Sequence, residues 1–509
     1  TKFHGSGFEF IRNEAFNANN FLINASTAPP FGRDSNGKAK RPPFRYNNYG
    51  LTLSGPVYVP KFGEGGAAVK AVKNTFFFFS YEARRDRRFT SAATVTVPDA
   101  NLRNGIFPIP VCINRPALGE TSCTGSFILP AGTPIPASFL SSAAQSYVAQ
   151  IYNRLPLPNA GTATAPFNLV VSLPNVADFK QEIIKVDHTF SSRWSAFYRF
   201  ENDKIPTIDA NSLFSSGTGL PGVSTTSTNS PGKTHTAQTT FLLSPKTILE
   251  GRYTYGYGAI LSQNIGYLAL ANTSVPISLP FVNTRDRIPS VSGNGFSGLT
   301  SFGPYDNFSY KHNFTGSLTK IFGNHTTKYG ATYSIYRKNE NALAGSNEGL
   351  FNSFSSAVAT GVTNSTLNQN IQRFANFLVG NVAANGFQQA HFDYTADLRQ
   401  KAFEAYAQDE WRARKNLTVY YGVRYSYFPS PYDKNGRLSN FDPSFFNSAS
   451  APQVTGAGNR VLGTGNFCNG IIVNSQNYTT GPTAFNCTPI ASPFGKFVVD
   501  VSKHDFAPR

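Results

Sequence analysis

The chain has 509 residues, 40% hydrophobic, 14% aromatic and only 14% charged, with a formal net charge of +17. Soluble chains carry about 25% charged residues, and no apolar run approaches the about 20 residues of a membrane-spanning helix, so helical spans are excluded. The basic runs Arg84-Arg85-Asp86-Arg87-Arg88 and Lys38-Ala39-Lys40-Arg41 do not continue as basic helices and accompany no RNA-recognition, zinc-finger or basic-zipper pattern. Nucleic acid is therefore set aside as a partner, and the positive charge is read as facing anionic lipid heads or solutes.

Taken in chain order, period-2 alternation of apolar and polar residues predicts eleven strands. They lie near 3–13, 44–57, 74–86, 179–190, 193–204, 233–243, 246–258, 308–321, 326–338, 399–412 and 415–428. In the seventh, Leu249, Tyr253, Tyr255 and Tyr257 oppose Glu250, Arg252 and Thr254. In the ninth, Tyr329, Ala331, Tyr333 and Ile335 oppose Lys328, Gly330, Thr332 and Ser334. In the last, Leu417, Val419, Tyr421, Val423, Tyr425 and Tyr427 oppose Thr418, Tyr420, Gly422, Arg424 and Ser426. Such strands exceed the usual globular length of about 5–6 residues and match the about 9–11 that a tilted strand needs to cross a bilayer.

The connections alternate. Ser191-Ser192, Ser244-Pro245, Gly323-Asn324-His325 and Ala413-Arg414 are tight turns, whereas 14–43, 87–178, 259–307 and 339–398 are long; 58–73 is intermediate. Short turns on one side and long loops on the other are the pattern of outer-membrane barrels. Aromatic clusters at strand ends (Phe76 to Tyr81, Tyr253 to Tyr257, Tyr420 to Phe428) suit girdles at the membrane–water boundary. The fold class expected is therefore all-β: an antiparallel transmembrane β-barrel with long extracellular loops.

Both ends are expected to be incomplete. There is no Met, no signal segment precedes Thr1, and Lys503 to Arg509 reads as the entry to a twelfth strand. Single-chain bacterial barrels have even strand counts, so eleven is read as half of a probable 22-stranded barrel, a size whose lumen holds a plug. Half a barrel would leave strand edges unpaired in lipid and is not expected to fold stably alone.

The four cysteines form two close pairs, Cys112 with Cys123 and Cys468 with Cys487, each in a Gly/Pro/Asn-rich stretch. Neither has metal-site spacing, and two local disulfides fit an oxidising compartment. The pairing rests on proximity, and the two other pairings stay open. Motifs for chemistry fail. Gly232-Lys233-Thr234 lacks the first Gly of a P-loop, since Ser227 stands there. Gly63-Glu64-Gly65-Gly66 opens no helix, and Gly295-Phe296-Ser297-Gly298 misplaces the second Gly of a nucleophile elbow. The seven His are scattered singly. No cofactor, metal or catalytic residue is expected. Glu250, Arg252, Lys328, Glu404, Gln408 and Arg424, on the polar strand faces, are the candidates for a functional lumen, either pairing with one another or touching solute.

Several ordered segments resemble TonB-dependent outer-membrane receptors, with the large Oar-like subgroup, of carboxypeptidase-regulatory-like domain type, as the nearest pattern. Phe3-His4-Gly5-Ser6-Gly7-Phe8-Glu9-Phe10-Ile11-Arg12-Asn13 with Ala18-Asn19-Asn20-Phe21 resembles their plug-to-barrel junction, and Lys73 to Glu82 their third strand. Gly323 to Gly330, Tyr406 to Trp411 and Leu417 to Tyr425 are similar to two periplasmic hairpins, and Phe506 to Arg509 to the next strand's entry. The resemblance implies that 1–509 is one partial receptor barrel lacking the plug and the C-terminal half. It implies a bacterial outer-membrane location among lipid and lipopolysaccharide, and a transporter rather than an enzyme. The partners implied are the TonB complex, reached through a plug and Ton box outside this chain, and an unidentified solute (carbohydrate, peptide or chelate). Capture is expected at the long loops, including the disulfide-tied ones at 87–178 and 429–503. The rivals are an adhesin or structural barrel binding partners through the same loops, and a secreted β-rich glycan-binding protein.

Overall fold

In the computed structural model, the described residues are 2–25, 27, 29–60, 69–115, 119, 123–341, 346–391, 393, 395–456, 461–474 and 487–500. The Gly63–Gly66 turn and the expected twelfth-strand entry at 503–509 lie outside them. Eleven long strands form one antiparallel meander in which each pairs with its neighbours in sequence. They are β1 (His4–Asn13), β2 (Phe44–Pro60), β3 (Val69–Phe89), β4 (Pro174–Ser191), β5 (Trp194–Lys204), β6 (Gly232–Ser244), β7 (Thr247–Asn264), β8 (Tyr305–Phe322), β9 (His325–Asn341), β10 (Thr395–Arg414) and β11 (Leu417–Tyr427). Three short strands, Pro206–Asp209, Thr226–Asn229 and Tyr432–Asp433, extend the same sheet. Among the described residues no ladder joins β1 to β11.

Expected and observed strands differ mainly in length. Several run on past the expected loop-side end: β3 reaches Phe89 and β7 reaches Asn264. The final turn is Lys415-Asn416 rather than Ala413-Arg414, because the β10–β11 ladder slips between Arg412 and Arg414. At the β8–β9 turn, Gly323 takes φ +55. That left-handed conformation matches the twist of a two-residue hairpin and disfavours residues with a Cβ.

Alternation sorts the side chains into two faces, and register carries each face from strand to strand. One row runs Tyr253, Phe314, Tyr333, Phe403 and Tyr427 across β7 to β11; the next row on that face runs Gly251, Gly316, Ala331, Ala405 and Tyr425, and the one after it Leu249, Leu318, Tyr329, Ala407 and Val423. Tyr253 and Tyr329 thus share the apolar face, where Tyr329 is 47% exposed. Along β9 this face reads Tyr329, Ala331, Tyr333, Ile335, bounded by Thr327 and Arg337. The ten residue steps from Thr327 to Arg337, at about 3.4 Å each and tilted by about 40°, rise about 26 Å between these polar bounds, close to the about 25 Å apolar band of outer-membrane barrels.

The buried core does not lie behind the sheet. It lies among the long connections, which fold together into a cap at the end opposite the two-residue turns. Leu102, Ile151 and Leu169 come from the connection after β3, Leu220 and Val223 from that after β5, Leu268 and Leu299 from that after β7, and Phe374 and Leu378 from that after β9. Two helices organise it: α1 (Ser142–Gln150) and α2 (Thr366–Leu378). In α2, Ser365 caps the first turn, its side chain accepting from the Asn368 N–H at 3.2 Å. Ile371, Phe374, Ala375 and Leu378 then fall on one helical face, and all are buried. Edge-to-face rings, Tyr152 on Phe374 at 5.7 Å and Phe296 on Phe374 at 5.1 Å, complete the packing.

Candidate functional site

The polar face of the sheet is a layer of paired groups. Register places Glu250 opposite Ser317, and Ser317 in turn opposite Gly330, Tyr406 and Arg424; Arg252, Thr315, Thr332 and Glu404 make the adjacent row. Lys328 and Gln408 stand directly opposite each other. All six residues singled out from the sequence therefore share one face. Of the six, Glu404 and Arg424 bond each other, while Ser317 Oγ donates to Glu250 Oε2 at 3.2 Å and Arg252 Nε to Gln238 Oε1 at 2.8 Å. Arg424 Nη1 bonds Glu404 Oε2 at 2.8 Å, while its guanidinium lies 5.1 Å from the Tyr406 ring centroid. A Cβ on Gly330 would stand 2.4 Å from that ring, so glycine makes room for the Tyr406–Arg424 stack.

Sequence reading missed the continuation of this face across β4 and β5. Gln181 Nε2 donates to Glu201 Oε1 at 3.1 Å and Asp203 Oδ1 at 2.9 Å, and Arg199 pairs with Glu201. The signal was there, since these residues alternate with Val186, Ile184, Phe200 and Tyr198.

Cys112 is joined to Cys123, with Cα atoms 5.7 Å apart, and Cys468 to Cys487 at 4.7 Å. The first pair belongs to a small hairpin, Val111–Cys112 against Ile128–Leu129. Its outer edge is covered by α2. The fully buried Gln372 accepts from the Cys112 N–H at 2.9 Å and donates to the Cys112 carbonyl at 2.8 Å. One amide side chain thus replaces a missing neighbour strand.

The cap also holds a buried ion cluster that sequence reading did not find. Arg285 donates through Nε and Nη2 to both Asp393 oxygens, each at 2.8 Å, and through Nη1 to Glu348 at 2.7 Å. Arg287 Nη2 reaches the other Glu348 oxygen at 2.6 Å, and its Nη1 bonds the Ser301 carbonyl. Burial works against the Arg285 charge, but the Asp393 and Glu348 contacts outweigh it and raise its pKa. Burial dominates for Arg287 and lowers its pKa. The cluster ties the β7–β8 connection to the β9–β10 connection. Nothing in Thr284-Arg285-Asp286-Arg287 signals this from sequence, because the carboxylate partners lie 61 or more residues away. Among the described residues, no group of three His, Cys, Asp or Glu is placed to hold a metal.

The model of the outer membrane beta barrel domain family matches residues 1–509. No curated protein sequence matches the chain. Among solved structures, the outer membrane transporter YddB of Escherichia coli aligns at 10% identity and TM-score 0.42, over 85% of this chain and 39% of its own. A variant of the ferric enterobactin receptor PfeA of Pseudomonas aeruginosa aligns at 10% identity and TM-score 0.36, over 84% and 40%. The open form of the ferric-catecholate import receptor Fiu of Escherichia coli aligns at 12% and TM-score 0.29, over 79% and 48%. The chain spans less than half the length of each.

Proposed function

We propose that this chain, which belongs to the outer membrane beta barrel domain family, is the barrel portion of a TonB-dependent receptor that takes up a solute across the bacterial outer membrane. The observation that carries the reading is the division of labour within one meander. The apolar face has close to the height of an outer-membrane apolar band, the polar face carries the charged and hydrogen-bonding residues, including the Glu404–Arg424 and Glu201–Arg199 pairs, and the long connections gather at one end into a folded cap. In a bilayer the apolar face takes the lipid side, because charge there is costly. The polar face, with Glu250, Arg252, Lys328, Glu404, Gln408 and Arg424, then lines the lumen. Residues 1–509 form one partial barrel unit, and a plug with its Ton box comes from outside them.

The cap receives solute, and the Glu404–Arg424 and Glu201–Arg199 pairs present a surface whose charges are already satisfied, suited to contact a plug without trapping a charged solute. No step of bond chemistry is assigned to the chain. Uptake of radiolabelled oligosaccharides, peptides and metal chelates by cells carrying the complete gene, with and without TonB, tests the reading. Uptake that disappears without TonB supports it. Cell-surface binding with no TonB-dependent uptake of any solute would favour an adhesin.

A further inference from the structure

The apolar face does not stop at β7. Register continues it through Tyr253, Ala237, Tyr198, Val186 and Phe77 to β3. There Phe79 and Tyr81 line up with Leu53 and Leu51 of β2, and Phe79 with Ile184 of β4; the three aliphatic residues are exposed. Beyond Tyr81 and the buried Ala83, towards the cap, the same face of β3 carries Arg85 and Arg87. Alternation thus splits the basic run at 84–88. Arg84 and Arg88 take the polar face, where Arg88 pairs with Asp86.

Four exposed cations form a line across this end of β2 to β5: Arg45, Arg85, Lys180 and Lys204. Arg45 is directly opposite Arg87 and diagonal to Arg85, while Lys180 is diagonal to Arg85 and directly opposite Lys204. Diagonal neighbours lie within reach of long side chains, and like charges facing each other across a ladder are destabilising. The carboxylates nearby are engaged elsewhere. Asp178 stands directly opposite Arg85, yet its two oxygens go to Arg87, at 2.7 and 3.0 Å. Glu182 accepts from Asn202 Nδ2 at 3.1 Å. Glu14, close enough to Arg45 to feel its charge, is held by the Phe44 N–H at 3.1 Å. Among the described residues, none of the four cations forms an ion pair.

Three strand spacings of about 4.8 Å spread the line over about 14 Å, enough for more than one anion. Cations directly above an exposed apolar strip are the complement of an amphiphile with an anionic head. A soluble anion would leave the strip bare.

We propose that Arg45, Arg85, Lys180 and Lys204 hold the phosphates of a membrane lipid whose acyl chains lie along the apolar strip of β2 to β4. The guanidinium forks of Arg45 and Arg85 take phosphate oxygens in pairs, and the two ammonium groups act as point charges. The phosphates relieve the repulsion between facing cations and set the cap end of the sheet at the level of the lipid heads. The proposal concerns the outside of the sheet, apart from solute uptake, and rests on the reading that the apolar face meets lipid.

The test uses diphosphoryl lipid A, the same lipid with both phosphates removed, and inorganic phosphate, each added to the full-length protein in detergent and followed by native mass spectrometry. Diphosphoryl lipid A should be retained about tenfold or more better than the phosphate-free lipid. Arg85→Gln combined with Lys180→Gln should weaken its retention about tenfold, the worth of two exposed ion pairs together, and added salt should weaken it by screening. Retention of the phosphate-free lipid should be unchanged in that variant, reporting an intact strip. Arg85→Lys combined with Lys180→Arg should keep binding, and Lys311→Gln, which removes an exposed cation from the polar face, should leave it unaltered. Equal retention of the two lipids, an equal loss in Lys311→Gln, or displacement by inorganic phosphate at equal concentration overturns the proposal. The two readings fail separately. TonB-dependent uptake without phosphate-dependent lipid binding removes this site alone; lipid binding without uptake leaves the site and removes the transport reading.

Discussion

Replacing Gln372 by Leu should loosen the cap at one identifiable place. Gln372 is fully buried and satisfies both backbone groups of Cys112, at 2.9 and 2.8 Å. Leucine has a similar volume but no polar atoms, so a buried donor and a buried acceptor lose their partners together. Each orphaned group costs about 1–3 kcal/mol, and the added apolar burial returns about 1–2 kcal/mol of that sum. The midpoint of that difference, about 2.5 kcal/mol in local opening, corresponds to about 70-fold faster exchange of amides that open with the hairpin. Hydrogen exchange read by mass spectrometry over 108–115, with α2 as comparison, measures it. Exchange at Cys112 unchanged within about threefold, against a tenfold step for each 1.4 kcal/mol, would make the glutamine contact incidental to the hairpin's stability.

Other consequences follow from the same packing. Glu348→Gln leaves Arg285 and Arg287 facing a neutral amide in a buried site and should cost about 3–5 kcal/mol, exposing the β7–β8 connection to trypsin at those two arginines; resistance equal to wild type would contradict this. Burial raises the pKa of Tyr147 and Tyr152. Their folded values lie above the unfolded value of about 10, so the stability they contribute is complete below about pH 10 and declines as pH rises beyond it. Alkaline titration at the tyrosinate absorbance should show these two ionising only as the cap opens, and smooth ionisation with the cap intact would count against their burial. Ala331→Arg, at mid-height of the apolar face, should lower folding stability in vesicles by about 2–4 kcal/mol, while Thr332→Arg on the polar face should change it far less; equal losses would contradict the assignment of faces.

The sheet was legible in the sequence because its signal is local. Alternation within a strand such as 326–338 needs only neighbours along the chain, and lipid on one face with a polar interior on the other leaves the pattern undiluted. Strand ends were less legible, because beyond the apolar band the extensions of β3 and β7 alternate less cleanly. The six polar-face residues were recognisable by parity alone, although parity could not say that Arg424 would meet Glu404 and stack on Tyr406. The cap was the part not read. The spacing of Ile371, Phe374, Ala375 and Leu378 after Ser365 is a helix signature and could have been recognised. The packing of four connections into one core, and the meeting of Arg285 with Glu348 and Asp393, depend on contacts between segments far apart in the chain, which no local pattern encodes.

On the reading proposed above, this meander crosses the outer membrane with its apolar face to lipid and its polar face to a water-filled lumen. Nitroxide labels placed one at a time from Thr327 to Arg337, in the full-length protein in outer-membrane lipid, test it most directly. Accessibility to oxygen should peak at Tyr329, Ala331, Tyr333 and Ile335, and accessibility to a polar nickel chelate at Lys328, Gly330, Thr332 and Ser334. Accessibility to the chelate at both sets alike, or a reversed alternation, would mean that these faces do not meet lipid and lumen.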